Sequence, residues 1–68
     1  MRYYFHVISG GQTYRDECGE EFNTDEDALA HGTVIARELD DGTFSPGSAV
    51  SVTDEQGRVL GTVPITAA

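Results

Sequence analysis

Thr24 to Asp40, T-D-E-D-A-L-A-H-G-T-V-I-A-R-E-L-D, is the stretch that decides how this chain folds. At about 100° per residue, Ala28, Leu29, Gly32, Ile35, Ala36 and Leu39 gather on one face, and Glu26, Asp27, Arg37 and Glu38 on the opposite one. The pattern predicts an amphipathic helix. Asn23 or Thr24 supplies a side-chain oxygen to cap its free N–H groups. Asp25, Glu26 and Asp27 stand where the positive end of the helix dipole favours carboxylates. Gly42 marks the stop. Asp40 and Asp41 lie at the unfavourable end of the dipole, and Arg37 offsets them only in part. Gly32 costs such a helix up to about 1 kcal/mol relative to alanine. Its place on the apolar face points to close approach between helix and sheet.

Before the helix, Arg2 to Ile8 is rich in aromatic and β-branched residues and reads as a strand. Ser9-Gly10-Gly11-Gln12 supplies a tight turn, and Thr13 to Asp16 returns as a second strand. A Gly10-Gly11 loop sets Val7 opposite Tyr14 and His6 opposite Arg15. Phe5, Val7 and Tyr14 then share the face that the helix covers, and Tyr4, His6 and Arg15 share the other. Asp16 to Asn23 is a polar connection, with Phe22 tucked against the start of the helix as a hydrophobic staple.

After the helix, Gly42 to Ser48 is a loop by its glycines and proline, anchored by Phe44. Ala49 to Asp54 and Arg58 to Ile65 are the third and fourth strands. Asp54-Glu55-Gln56-Gly57 joins them as a type I turn closed by a left-handed glycine. That register sets Val52 opposite Leu60 and Val50 opposite Thr62. Val63 and Ile65 then point to the other face unless a bulge intervenes, with Gly61 as its natural place. Pro64 cannot donate to a ladder, so this end is an edge or a strand terminus. The expected architecture is α+β, in the order β-β-α-β-β, with one antiparallel sheet and one helix packed on one face. Two hairpins around one helix leave more than one strand order open.

Sixty-eight residues make one domain, 1–68, with little stability to spare, so a homo-oligomer stays open. Four Lys+Arg against twelve Asp+Glu give a formal charge of −8. That sign repels phosphate backbones and anionic lipid, so neither nucleic acid nor membrane is an expected partner. Cys18 is alone, which excludes an intrachain disulfide. No cationic stretch followed by an apolar run opens the chain, and no run is long enough to span a bilayer. The expectation is a soluble protein of the reducing cytoplasm.

The opening R-Y-Y-F-H-V (Arg2 to Val7), the run D-E-C-G-E-E-F (Asp16 to Phe22), the helix ending A-R-E-L (Ala36 to Leu39) and the close V-T-D-E-Q-G-R-V-L-G-T-V-P (Val52 to Pro64) together resemble a family of short bacterial proteins. That family is catalogued as a domain of unknown function. The resemblance covers nearly the whole chain and implies an α+β fold and a bacterial setting. It implies no reaction, cofactor or catalytic residue. The chain departs from the family in the loop after the helix, where relatives often continue the helix before the third strand.

Candidate chemistry is sparse. His6, His31 and Cys18 are the soft metal ligands, and they include no close pair of the kind zinc sites use, so no metal or other cofactor is expected. Asp16, Glu17, Glu20, Glu21, Asp25, Glu26 and Asp27 read as solvated or capping carboxylates rather than an acid–base pair held in a cleft. D-E-D and D-D-G lack the alternating ligands of a calcium loop. The acidic neighbours of Cys18 disfavour a reactive thiolate. The serines have no partnered histidine, so no enzyme is expected.

The open sheet face is the better candidate. Aromatic residues on a sheet suit RNA stacking only with a cationic surround, which this chain lacks. Tyr4, His6, Ile8 and Arg15 suit a protein contact instead. The leading expectation is a non-enzymatic interaction or structural module using that face. The alternative is an antitoxin-like or regulatory acidic protein that sequesters a basic partner, an expectation from charge and fold analogy.

Overall fold

In a computed structural model of the chain, residues 1–40 and 44–65 are described. Strand β1 (Arg2–Ser9) is the axis of an antiparallel sheet, because both of its edges are paired. On one edge it meets β2 (Gln12–Tyr14) over Val7 to Ser9 and β3 (Glu20–Glu21) over Arg2 and Tyr3. On the other it meets β4 (Ala49–Thr53) from Tyr4 to Ile8. Strand β5 (Val59–Pro64) completes the order β2-β1-β4-β5. Helix α1 (Asp25–Glu38) packs on one face, so the α+β class and the single antiparallel sheet agree with the sequence.

The element order is β-β-β-α-β-β, one short strand more than the sequence predicts. Glu20 and Glu21 offer no apolar alternation, and their pairing comes from neighbours. The Phe22 N–H donates to the Met1 carbonyl at 3.0 Å, and Arg2 Nε lies 3.5 Å from Glu21 Oε2. Val7 does pair with Tyr14 across a Gly10-Gly11 turn, both glycines having positive φ. The second strand ends at Tyr14, however, so the expected His6–Arg15 pair does not form. Asp16 takes over the ladder there. Its carboxylate accepts the Phe5 N–H at 3.2 Å, and its own N–H donates to His6 Nδ1 at 3.0 Å.

Thr24 is the N-cap, its hydroxyl accepting the Asp27 N–H at 3.1 Å. The helix closes at Glu38 with Leu39 as C-cap, short of the predicted Asp40, because the Asp40 N–H tightens onto the Arg37 carbonyl at 3.2 Å. The stop expected at Gly42, and Asp41 beside it, lie outside the described residues. Ala28 and Ala36 are buried, with Leu29, Ile35 and Leu39 packed around them, as the helical period requires. A Cβ on Gly32 would sit 2.8 Å from Val52 Cγ2, which is the close approach its position announces.

Tyr3 and Phe5 of β1, Val50 and Val52 of β4, and Ile65 complete the core beneath the helix. Phe22 packs on Tyr3 and Phe5 of β1 and on His31, well inside the helix rather than stapling its start. Phe44 is partly buried beside Tyr14, with ring centroids 6.3 Å apart. The last hairpin departs from the expected register. Val52 faces Gly61 and Val50 faces Val63, in place of Leu60 and Thr62, because a bulge intervenes after the Thr53–Val59 pair. Leu60 is the extra residue. The slip turns Val63 toward the core, which is its physical reason, since one residue of register exchanges the two faces of a strand.

Candidate functional site

Two tetrapeptides of the same pattern, Asp16-Glu17-Cys18-Gly19 and Asp54-Glu55-Gln56-Gly57, flank the sheet face that α1 leaves uncovered. Each folds around its aspartate. Asp16 Oδ1 accepts the N–H groups of Cys18 and Gly19, both at 3.1 Å. Asp54 Oδ1 accepts those of Gln56 at 3.0 Å and Arg58 at 2.9 Å. The closing glycines take φ values of 70° and 84°, a left-handed conformation that side chains resist. At Gly19 space is closed as well, since a Cβ would meet the Tyr3 carbonyl at 2.8 Å.

Between the loops lies a cleft of about 510 Å³. Its floor is Tyr4, His6 and Thr53; its rims carry Arg15, Asp16 and Glu17 on one side and Asp54, Glu55 and Gly57 on the other. The Tyr4 and His6 rings lie within 5° of parallel, with centroids 6.3 Å apart. His6 Nδ1 accepts the Asp16 N–H, so the neutral ring carries its proton on Nε2 and donates it to Thr53 Oγ1 at 3.0 Å. With both nitrogens engaged, the ring offers the cleft neither a base nor a ligand atom.

Burial alone would push the Asp16 carboxyl up, but the N–H groups of Gly19, Phe5 and Cys18 outweigh it and hold the group below the ordinary aspartate range. Asp54 is held low as well. The Arg58 N–H is the main cause, joined by the Gln56 N–H and the Arg58 charge, against an opposing contribution from burial. Arg58 ties this loop to the helix, with Nε 3.2 Å from Asp54 Oδ2 and Nη2 3.4 Å from Asp25 Oδ2. Tyr3, only 1% exposed, donates its hydroxyl to Asp25 Oδ1 at 2.6 Å. That bond, with burial and the Asp25 charge, pushes the hydroxyl up to about 12.

Of the residues singled out by sequence, Tyr4, His6 and Arg15 come together in this cleft. Ile8 does not line it; it lies farther along β1 and is 38% exposed. His31 sits elsewhere, wedged against Phe5 and Phe22 with Nε2 3.2 Å from Glu20 Oε2. Cys18 is exposed, and its carbonyl accepts Arg2 Nη1 at 2.7 Å. Among the described residues, no three of His, Cys, Asp and Glu converge as metal ligands do. No described helix is long and apolar enough to cross a membrane. Asp16, Glu17, Thr53, Asp54 and Glu55 are site residues that the sequence reading does not assign to this face; the repeated D-E-x-G points to the four acids, and Thr53 carries no signal of its own.

Residues 2–66 match the family described as a domain of unknown function, DUF6894. No curated protein and no solved structure matches the chain.

Proposed function

We propose that this chain, which belongs to the DUF6894 family, is a non-enzymatic interaction module that meets another protein through its uncovered sheet face. One observation carries the reading. Tyr4, His6 and Arg15 gather at a cleft of about 510 Å³ on the side away from the helix, within the size range of binding sites. The more enclosed groups that acid–base chemistry would call on are already engaged there, and the two exposed glutamates of the rims, Glu17 and Glu55, face solvent. His6 is bonded through both nitrogens, and the Asp16 and Asp54 carboxylates hold their own loops. The lone Cys18 and the family resemblance favour the reducing cytoplasm of a bacterium as the setting.

A second reading, a regulatory or antitoxin-like acidic protein that sequesters a basic partner, is favoured by the formal charge of −8. The same charge argues against nucleic acid and anionic membrane as partners.

Affinity capture from the source cell's lysate tests the contact face when wild type is compared with Tyr4→Ala/Ile8→Ser at matched folding. The expected result is a stoichiometric protein partner whose recovery drops about tenfold or more in the variant, as for central contact residues. A partner recovered equally by both chains would sink the reading. Loss of the wild-type partner at moderate salt would side with sequestration.

A further inference from the structure

The two loops do not use their acids alike. Asp16 and Asp54 turn inward and bond backbone N–H groups of their own loops. Glu17 and Glu55, each one residue on, are exposed and make no hydrogen bond or ion pair among the described residues. The fold thus presents two unneutralised carboxylates on opposite rims of one cleft, with Arg15 as the one cation among its lining residues. The floor between them is aromatic. Tyr4 offers its ring beside that of His6, nearly parallel to it, and His6 has no free nitrogen to contribute. Parallel aromatic rings and free carboxylates lining one cleft complement a guanidinium, which stacks on aromatic rings and pairs with carboxylates in its plane.

We infer that the cleft receives an arginine side chain of a partner protein, set against the Tyr4 and His6 rings and held between Glu17 and Glu55. The inference rests on the contact-face reading and names the chemistry of its partner. Charge complementarity selects that occupant over a second copy of this chain, because each copy carries a formal charge of −8. Arg15 opposes the guest by like charge and sets how tightly it is held.

The test is a titration of the ¹⁵N-labelled whole chain, followed by NMR, with the capped peptide Gly-Ser-Arg-Ser-Gly and with the same peptide carrying citrulline in place of arginine. Citrulline keeps the shape and removes the charge. Saturable shifts are expected at Tyr4, His6, Thr53, Glu17 and Glu55 with the arginine peptide, and binding about tenfold or more weaker with citrulline. Glu17→Gln/Glu55→Gln should weaken the arginine peptide about fivefold or more, whereas Glu26→Gln/Glu38→Gln, an equal change of charge on the helix, should change it less than about twofold. Arg15→Gln should tighten it. Equal weakening by the two double variants would reveal diffuse attraction and overturn the site. So would an absence of saturable shifts, or shifts centred elsewhere. Equal binding of the citrulline peptide at the same residues would overturn the arginine assignment while leaving the contact face standing.

Discussion

Asp16 and Glu17 are neighbours with the same charge and opposite duties. The Asp16 carboxylate serves three backbone N–H groups, those of Phe5, Cys18 and Gly19, where β2 has ended and β3 has not begun. Without it these donors lose their partner at the edge of β1. Asp16→Ala is therefore expected to lower the unfolding free energy by about 1–2 kcal/mol, allowing for solvent screening of a half-exposed group. Glu17→Ala should stay within about 0.5 kcal/mol, as surface changes usually do. Urea unfolding of the two variants checks the contrast. A composition count treats the two residues as equal, and the sequence reading placed both in a polar connection. Their difference becomes legible only when D-E-C-G is set beside D-E-Q-G and each aspartate is seen to precede a left-handed glycine by three residues. The cap at Thr24 is the opposite case, since Ser and Thr bond the third N–H onward by local geometry alone.

Helix α1 could be read from its period because its apolar face needs nothing beyond its own spacing. Gly32 belongs to that legibility, and its role is now specific: it lets Val52 into the helix surface. Gly32→Ala raises helix propensity by up to about 1 kcal/mol. It also forces a Cβ to within 2.8 Å of a β-branched side chain that has little freedom to rotate away. Overpacking of this kind costs about 1–3 kcal/mol, so net destabilisation is expected and a lower thermal midpoint would show it. An unchanged or raised midpoint would mean that the helix can lift off the sheet without loss. The bulge at Leu60 was less accessible, because Leu60 and Gly61 both fit a regular strand and only burial of Val63 selects the slip. Strand β3 is two glutamates long and carries no pattern at all. Its existence depends on the edge that β1 presents to it.

For the whole molecule, the titrating groups set a window of stability with different causes at its two ends. Asp16 and Asp54 have folded pKa values below the ordinary aspartate value. Their contribution is complete above about pH 4 and disappears as pH falls through the lower folded values. Tyr3 works in the other direction. Its folded pKa is raised from 10.0 to about 12, so its contribution is complete below pH 10 and is lost as pH rises toward 12. Chemical denaturation at a series of pH values should show decline at both ends. In Tyr3→Phe the alkaline decline between about pH 10 and 12 should be much reduced, because the group that releases its proton there is gone. Persistence of the full decline in that variant would assign it to other groups. The net charge was legible from composition, but this window was not. Its alkaline end arises from Tyr3 reaching Asp25 on the helix, a contact between distant parts of the chain, and its acid end from the backbone N–H groups that turn onto Asp16 and Asp54.

The central position of β1 also governs how the fold can be reached. Its hydrogen-bonded neighbour β2 follows at once, but β4 arrives much later, and the side chains of His6 and Thr53 that meet across that seam are 47 residues apart. Each hairpin is able to close locally in microseconds, and α1 packs chiefly on the second, β4–β5, so it is the first hairpin that stays uncovered until it docks beside β4. The entropy of that long closure must be met before the core at Phe5 and Val52 repays it. If the β1–β4 seam forms last, substitutions there are expected to slow folding less than they speed unfolding. The chain is thus built as two quick local foldings that wait on one later meeting.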